Sequence, residues 1–303
     1  MKYSNPKIPE GINYSKENPL KEFFMLVVSV FVVLISVVFL IYFLAQSFAQ
    51  HIPFRYESKL VSVGMQQGFF SHDLTNEKQQ YIADLGHAIA EKMALPDDMR
   101  VHIYYADDEL VNAFASLNGL IVINQGLIDF VESENELAFI IAHEIAHVKE
   151  RHPIKSLSSG LIVSLALSAI IGSDMSGAAA TIGNTAMLGA LSFSRKNELS
   201  ADAVALEAMQ QYYGHISGSM DFFSRLNEEG NSPELLDFLS THPGHEKRMS
   251  EIQRISTQLG LNSDAHSPLV AVPEFMRQTA NTSENNGDDN TNTNTNTNTN
   301  GEG

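Results

Sequence analysis

Apolar residues recur at helical spacing through most of this chain. Within residues 76–93, Ile82, Leu85, Ile89 and Met93 return every three or four positions, which predicts an amphipathic helix. The same period indicates several helices further along the chain. We predict these helices over residues 134–151, 195–211, 220–226, 233–239 and 246–259.

Strand-like alternation is confined to one short part of the chain. Val101 and Ile103 alternate with polar residues and predict a strand over 99–105. Two further apolar stretches, 112–115 and 120–123, are separated by Asn118-Gly119, a dipeptide typical of tight turns. Together these patterns predict a mostly helical α+β fold with a small antiparallel sheet or hairpin.

One apolar stretch near the N-terminus is long enough to cross a membrane. Residues 23–44 carry no charge, and at 1.5 Å per residue a helix of this length spans about 30 Å. We predict a single transmembrane signal-anchor over 23–46. A buried core helix is one alternative. A cleaved signal peptide is another, since Ser47-Phe48-Ala49 is a passable cleavage site.

The charges around this span predict its orientation. Four lysines precede it within residues 1–22, whereas Arg55 and Lys59 follow it. Positive residues favour the cytoplasmic side, so the rest of the chain is expected on the extracytoplasmic side, which is the periplasm in a Gram-negative cell.

Two shorter apolar runs, 160–171 and 176–191, fall below the eighteen residues that a membrane span needs. We predict two helices packed on the folded domain, with a re-entrant or surface-dipping hairpin as the alternative. The chain then divides into a polar tail (1–22), the anchor (23–46), a folded domain (47–262) and a loose C-terminal segment (263–303). The last part, with its Thr-Asn repeats, has almost no apolar content and is predicted to be disordered.

Composition narrows the function classes. The formal net charge of the 303 residues is -17, which argues against a nucleic-acid partner because phosphates bind basic surfaces. The chain has no cysteine, so any metal site must use histidines and carboxylates.

The strongest chemical motif lies in the helix predicted over 134–151. His143 and His147 are four residues apart, so both imidazoles face one side of the helix and can hold one metal ion. Glu144 can take a proton from a water that the metal activates. The alternative is a helix with histidines on its polar side, but the neighbouring residues are apolar, and burying three polar groups without partners is costly. His152, beyond the motif, is predicted to be exposed.

A hydrolytic zinc site needs a third protein ligand and an open fourth position. Glu198 and Asp202 are the best candidates, four residues apart on the helix predicted over 195–211. If Glu198 binds the metal, Asp202 can accept a hydrogen bond from a ligand imidazole. Alone, such an acidic pair more often lies on a solvated face. Zinc, one ion per chain, is the predicted cofactor because two histidines and one carboxylate suit it best.

Four motifs together resemble the HtpX-type zinc endopeptidases. This family includes the CAAX prenyl proteases, the mitochondrial overlapping-activity protease and bacterial periplasmic quality-control proteases. The matches come in the family's order and cover roughly residues 60–255. They are NAFA at 112–115 with Gly119 after it, HEIAH at 143–147, SRKNELSAD at 194–202, and STHP at 240–243 with Arg248 after it.

The resemblance implies a zincin-like metallopeptidase domain. In such a domain His143, His147 and Glu198 would bind zinc, and Glu144 would be the general base. His242, in a predicted loop, becomes a candidate residue of the cleft. Two roles are open for it: donating a hydrogen bond to the developing oxyanion, or occupying the open zinc position as a resting-state plug.

The resemblance also implies a substrate-binding sheet edge. Asn112, Ala113, Phe114 and Ala115, with Gly119 in the following turn, would face the active-site cleft. An exposed edge can pair with an extended polypeptide through main-chain hydrogen bonds, with little sequence preference. A plain interior hairpin is the alternative that the sequence leaves open.

The sequence therefore predicts a membrane-anchored zinc endopeptidase that acts on extended polypeptides. The resemblance implies quality control of misfolded or unfolded envelope proteins. Prenyl substrates are disfavoured because the chain departs from the many-span pattern of prenyl proteases. One alternative is an anchored chaperone or adaptor with a latched or structural metal site. Another is a secreted soluble protease released after Ala49.

Overall fold

The computed structural model describes residues 4, 18–58, 76–171, 193–229, 236–243, 245–261 and 267–277. The expected mostly helical α+β fold with a small sheet and an N-terminal apolar helix is confirmed. Most of the N-terminal tail, the second apolar run at 176–191 and the Thr-Asn-rich tail lie outside these residues.

The helices are α1 (Pro19–Ala49), α2 (Glu77–Lys92), α3 (Gln125–Phe130), α4 (Glu134–Lys149), α5 (His152–Ile171), α6 (Arg195–Tyr213), α7 (Asp221–Glu229), α8 (Leu236–Thr241) and α9 (His245–Leu259). The strands are β1 (His102–Ala106), β2 (Ala113–Ala115) and β3 (Leu120–Asn124).

The three strands form one sheet in the order β1-β3-β2. β2 and β3 are antiparallel, as predicted, while β1 and β3 are parallel, so the sheet is mixed rather than wholly antiparallel. The reason lies in β3, whose five residues are all buried. Because its apolar side chains pack on both faces, β3 occupies the centre, and β1 must then join it on the side away from β2.

The turn between β2 and β3 has the conformation that its dipeptide predicts. Asn118 and Gly119 both have positive φ, 58° and 69°. Gly119 also passes close to another part of the chain, because a Cβ at this position would lie 1.9 Å from the carbonyl oxygen of Arg100. A glycine is therefore required here both for its conformation and for the close approach of the two backbones.

The core forms around α4, which packs against α6, α2, β2 and β3. Ser133 caps α4 by accepting a hydrogen bond from the backbone N–H of Glu136 at 3.2 Å. Fourteen consecutive residues of α4, 135–148, are buried, so the polar groups on this helix must find partners inside the protein. α6 ends at Gly214, whose φ of 79° gives the left-handed C-cap that glycine favours.

α1 is the candidate membrane span among the described residues, and the apolar side chains along it are exposed. α5 packs antiparallel to it, since Ile154 contacts Ala49 and Ser159 accepts a hydrogen bond from Nε2 of Gln46 at 2.6 Å. From Ser159 to Ile171 the helix extends about 18 Å. The helix expected over 160–171 therefore forms, as the remainder of α5, and it lies along α1. Its expected packing on the folded domain stays a prediction.

Residues 267–277, which we call the C-terminal strap, are attached to the domain. The backbone N–H of Glu134 donates to the carbonyl oxygen of Val270, and the N–H of Val270 donates to Oδ1 of Asn135, both at 2.8 Å. Met276 is fully buried. The prediction of a loose segment over 263–303 is therefore wrong for these eleven residues. They are held by main-chain hydrogen bonds rather than by a periodic apolar face.

Candidate metal centre

α4 supplies three polar side chains that are almost completely buried: His143, Glu144 and His147. The helical spacing brings the two imidazoles together, with their Nε2 atoms 2.9 Å apart. Phe193 stacks on the ring of His147, with centroids 4.0 Å apart. The histidine pair is thus fixed on a rigid helix and covered by an aromatic ring.

α6 brings a carboxylate to the same point. Glu198, in the first turn of α6, places Oε2 3.4 Å from Nε2 of His143 and Oε1 3.4 Å from Nε2 of His147. Two ligand atoms bound tetrahedrally to one zinc ion are about 3.3 Å apart, given Zn–N and Zn–O distances of 2.0–2.2 Å. The separations between these three side chains are therefore close to those of ligands around one small metal ion.

A fourth side chain, His242, reaches the site from the residue that follows α8. Its Nδ1 lies 3.2 Å from Oε2 of Glu198, and its Nε2 lies 3.4 Å from Oε1 of Glu144. His143, His147, Glu198 and His242 can each offer one ligand atom within 4.8 Å of the others.

The unpaired oxygens of the site also fit a metal. Both carboxylate oxygens of Glu144 and Oε1 of Glu198 are buried without a hydrogen-bond partner in the described part of the chain. Leaving such groups unpaired inside a protein costs free energy. A cation and a water molecule among them would remove that cost, so the residues present fit a bound metal ion.

The pKa values reflect this buried charge. Burial and the charge of Arg248 lower the pKa of His143, but hydrogen bonds to Asp202 and Glu198 outweigh them and raise it to about 9. Burial raises the pKa of Glu144 and lowers that of His147. Burial also raises the pKa of Glu198, yet the surrounding histidines lower it more, so this side chain is a carboxylate.

An ion pair behind the site fixes the orientation of His143. Nδ1 of His143 lies 3.0 Å from Oδ1 of Asp202, which leaves Nε2 facing the other candidate ligands. Arg248, on α9, binds Asp202 through Nε at 2.8 Å and Nη2 at 2.5 Å, and its Nη1 lies 2.9 Å from Glu198. The sequence signalled Arg248 only as part of the family motif, because nothing in its local pattern indicates burial.

The prediction that His152 is exposed is wrong. Its side chain is buried, and its Nδ1 lies 2.8 Å from Nδ1 of His147. The cause is Arg151, whose φ of 62° ends α4 and turns the chain back on itself. One of the two Nδ1 atoms donates to the other, so His152 orients the ring of His147 as Asp202 orients that of His143.

The predicted peptide-binding edge borders the site. In the antiparallel pairing of β2 with β3, residues 112, 114 and 116 face β3, so the main-chain groups of Ala113 and Ala115 point away from β3. Both residues are buried, so this edge is covered rather than exposed. The carbonyl oxygen of Ala113 lies 3.4 Å from Nε2 of His242. Among the described residues no other strand pairs with this side of β2. Phe114 is half-buried, and Asn112 has a buried Oδ1 without a described partner.

Comparison with known proteins agrees with this geometry. The sequence model of Peptidase family M48 matches residues 76–256, more than half of the chain. The chain belongs to peptidase family M48. The matched region contains α4, α6 and His242, so all four candidate ligands lie inside it.

Several individual proteins are similar in sequence to this chain. A beta-barrel assembly-enhancing protease of Yersinia pestis is 28% identical over 205 residues, 62% of this chain and 41% of the relative. The protein of that name in Escherichia coli K12 is 28% identical over 194 residues, 59% of this chain and 39% of the relative. The mitochondrial metalloendopeptidase OMA1 of Schizosaccharomyces pombe is 30% identical over 159 residues, 52% of this chain and 47% of the relative. The chain thus spans less than half the length of these relatives.

The family and the names of these relatives confirm the expected resemblance and the enzyme class, that of metalloendopeptidases. The helix α1 fits a membrane anchor. The buried cluster of histidines and carboxylates is compatible with a metal site.

Proposed function

We propose that this protein is a membrane-anchored zinc endopeptidase that cleaves misfolded or unfolded envelope polypeptides. The observation that carries the proposal is the convergence of His143, His147 and Glu198 beside Glu144, whose buried carboxylate oxygens have no hydrogen-bond partner among the described residues. A carboxylate in this position can accept a proton from a reacting water molecule. The names of the relatives, beta-barrel assembly-enhancing protease and metalloendopeptidase, support the substrate class.

Each residue has a proposed role. His143, His147 and Glu198 would hold one zinc ion, with Asp202 orienting His143. When bound, zinc would supply Lewis acidity, lowering the pKa of a water molecule and polarising the scissile carbonyl. Glu144 would take a proton from the attacking water and pass it to the nitrogen of the leaving amine. The raised pKa of Glu144, caused by burial, suits a group that gains and then releases a proton.

The substrate would bind along β2. An extended polypeptide could pair with the main-chain groups of Ala113 and Ala115 that point away from β3, once the groups that bury them, His242 among them, move aside. Phe114 and Asn112 belong to the same edge, and Gly119 allows the turn that ends it. Main-chain recognition of this kind requires an unfolded or extended segment, which favours misfolded proteins over compact ones.

His242 retains two possible roles. Its Nδ1 lies near Glu198 and its Nε2 near Glu144, so it can either donate a hydrogen bond to the oxyanion or bind the metal as a plug. The substitution His242→Ala should slow cleavage in the first case and accelerate it in the second. Unchanged cleavage would exclude both roles.

We place the catalytic domain on the extracytoplasmic side of the membrane. The lysines before α1 support this orientation. Fractionation of cells tests it together with the secreted alternative. A soluble mature protein lacking its first forty-nine residues would exclude the anchor.

The proposed activity can be tested with the purified full chain. Zinc content and cleavage of unfolded casein would be measured for the wild type and for Glu144→Gln. We expect near-stoichiometric zinc in both proteins. The substitution should reduce the rate of casein cleavage about 10²–10⁴-fold, so that readily measured cleavage is confined to the wild type. No zinc in either protein would refute the metal site.

An anchored chaperone or adaptor is the second candidate function. It is favoured by the position of His242, whose imidazole fills space beside the three proposed ligands. Zinc in both proteins with no cleavage in either would support it. So would rescue of a deletion phenotype by Glu144→Gln.

A further inference from the structure

Residues 50–58, which follow α1, form a short juxtamembrane segment that packs into the domain. Phe54 is buried, and the carboxylate of Glu57 is buried with it. Buried carboxylates need partners, and the partners of Glu57 come from two separate elements beside the metal centre.

The first partner is Arg151, the residue that ends α4. Its Nη1 lies 2.6 Å from Oε1 of Glu57, and its Nη2 donates to the carbonyl oxygen of Ile52 at 2.5 Å. The guanidinium also lies over the ring of Phe54, 5.4 Å from its centroid. The juxtamembrane segment therefore holds the end of the helix that carries the metal-binding motif.

The second partner is the turn between β2 and β3. The backbone N–H of Asn118 donates to Oε2 of Glu57 at 2.6 Å. One residue earlier, Leu117 packs with Ala49 of the anchor and Ile154 of α5 in a small apolar cluster. The turn is thus tied to the anchor by one polar and one apolar contact.

A single carboxylate consequently joins the two walls of the proposed cleft. Oε1 holds the end of α4, and Oε2 holds the turn at the end of the edge strand. Glu57 lies outside residues 76–256, the part matched to the family, so this connection is added from the anchor side. Charge-assisted hydrogen bonds of this kind are among the stronger ones in proteins.

We propose that Glu57 is a positioning residue that sets the separation between the peptide-binding edge and the metal centre. The inference rests on the proposed function, because it assumes that β2 binds the substrate. With glutamine at position 57 the turn at Asn118 keeps only a neutral amide oxygen as its acceptor, and Arg151 loses its counter-ion. The edge strand then no longer presents an extended chain at the correct distance.

The experiment uses the full chain in detergent micelles and a matched control. Glu57→Gln is compared with Glu136→Gln, which breaks a buried ion pair with Arg225 at the opposite end of α4. Both substitutions remove a buried carboxylate from an arginine, but only the first touches the β2–β3 turn. Binding of a fluorescein-labelled peptide from unfolded casein is measured by anisotropy, with both substitutions made in a zinc-loaded Glu144→Gln background.

We expect Glu57→Gln to weaken peptide binding about tenfold, with unchanged zinc content. Glu136→Gln should lower the unfolding temperature without altering peptide affinity. In proteins with Glu144 intact, Glu57→Gln should raise KM about tenfold and change kcat by less than about twofold.

Equal affinity with and without Glu57 would overturn the proposal, as would an equal loss in the Glu136→Gln control. A loss of zinc in Glu57→Gln would also overturn it, because the residue would then act on the metal site instead of the edge. If the wild type binds the peptide but never cleaves it, the proposed peptidase activity fails, and the affinities still decide the role of Glu57. Absence of peptide binding in the Glu144→Gln reference refutes the edge and the positioning role together.

Discussion

The two halves of α4 satisfy their carboxylates to different degrees. In the N-terminal half, the half-buried Glu134 accepts hydrogen bonds from the hydroxyls of Tyr81 and Tyr213, at 2.5 Å and 2.8 Å. In the C-terminal half, Glu144 is fully buried, and neither of its oxygens has a hydrogen-bond partner among the described residues. The same helix therefore carries one carboxylate satisfied by the protein and one left available.

This difference assigns stability to the N-terminal half of α4 and chemistry to its C-terminal half. A carboxylate whose hydrogen bonds are satisfied stabilises one conformation, whereas an unsatisfied one can bind a cation, water or substrate. The N-terminal half of α4 is fastened by the C-terminal strap, while its C-terminal half faces the edge strand. We infer that the first half stabilises the helix, so that the second can hold polar groups without hydrogen-bond partners among the described residues.

The largest expected effect comes from removing the charge behind the metal centre. Arg248→Met leaves Asp202 and Glu198 buried without their cation, and breaking such a pair costs about 3–5 kcal/mol. We expect a strongly lowered unfolding temperature or a loss of folded protein. Arg254→Met, on the same helix but in an exposed pair with Glu251, is the matched control and should change little. Equal behaviour of the two variants would contradict the buried network.

The second-largest effect is expected from removal of the metal, which should destabilise the C-terminal half of α4. A ligand present at 100 times its dissociation constant stabilises a protein by about 2.7 kcal/mol. Dialysis against a chelator should therefore lower the unfolding temperature of the wild type, and added zinc should restore it. Glu144→Gln should respond in the same way, since Glu144 is not a proposed ligand. His147→Ala should be insensitive, and a chelator response equal to that of the wild type would remove His147 from the ligand set.

A smaller effect is expected from the residue that orients His143. Asp202→Asn keeps the shape of the side chain but weakens the hydrogen bond to the imidazole, which should lower zinc affinity about 10–100-fold. Competition with a chromophoric chelator measures this directly. Unchanged affinity would mean that His143 needs no carboxylate partner.

The smallest effect belongs to the N-terminal half. Tyr213→Phe removes one hydrogen bond to Glu134 and should cost about 1 kcal/mol in the free energy of unfolding. Tyr212→Phe is the control, because its hydroxyl has no hydrogen-bond partner among the described residues. Urea unfolding and casein cleavage would be measured for both. A large loss of cleavage in Tyr213→Phe would show that the two halves of α4 are not independent.

The sequence predicted the parts of the centre that local spacing determines. His143 and His147 share a face because four residues make about one helical turn, and Asn118-Gly119 predicts its turn by conformation alone. The contribution of Glu198 required a second helix to pack across the first. The need for a third ligand and the spacing of Glu198 and Asp202 made them candidates, and the family resemblance supported that choice.

The failures have a common cause in tertiary contacts. His152 follows a non-glycine residue with positive φ, and no rule of local sequence predicts that Arg151 adopts it. The C-terminal strap has no periodic apolar face, and main-chain hydrogen bonds together with two buried side chains, Val272 and Met276, attach it to the domain. The apolar run 160–171 is too short to span a bilayer by itself. Its position is decided instead by α1, because the second half of α5 lies along that helix.

The attachment of the C-terminal strap has a practical consequence for access. Val270 of the strap is bonded to the beginning of α4, while the proposed ligands lie two to three turns further along this helix, roughly 13–20 Å away. A fluorophore attached to an exposed strap residue such as Glu274 would thus lie at the end of α4 remote from the proposed ligands. It would report on the domain without competing with an entering polypeptide.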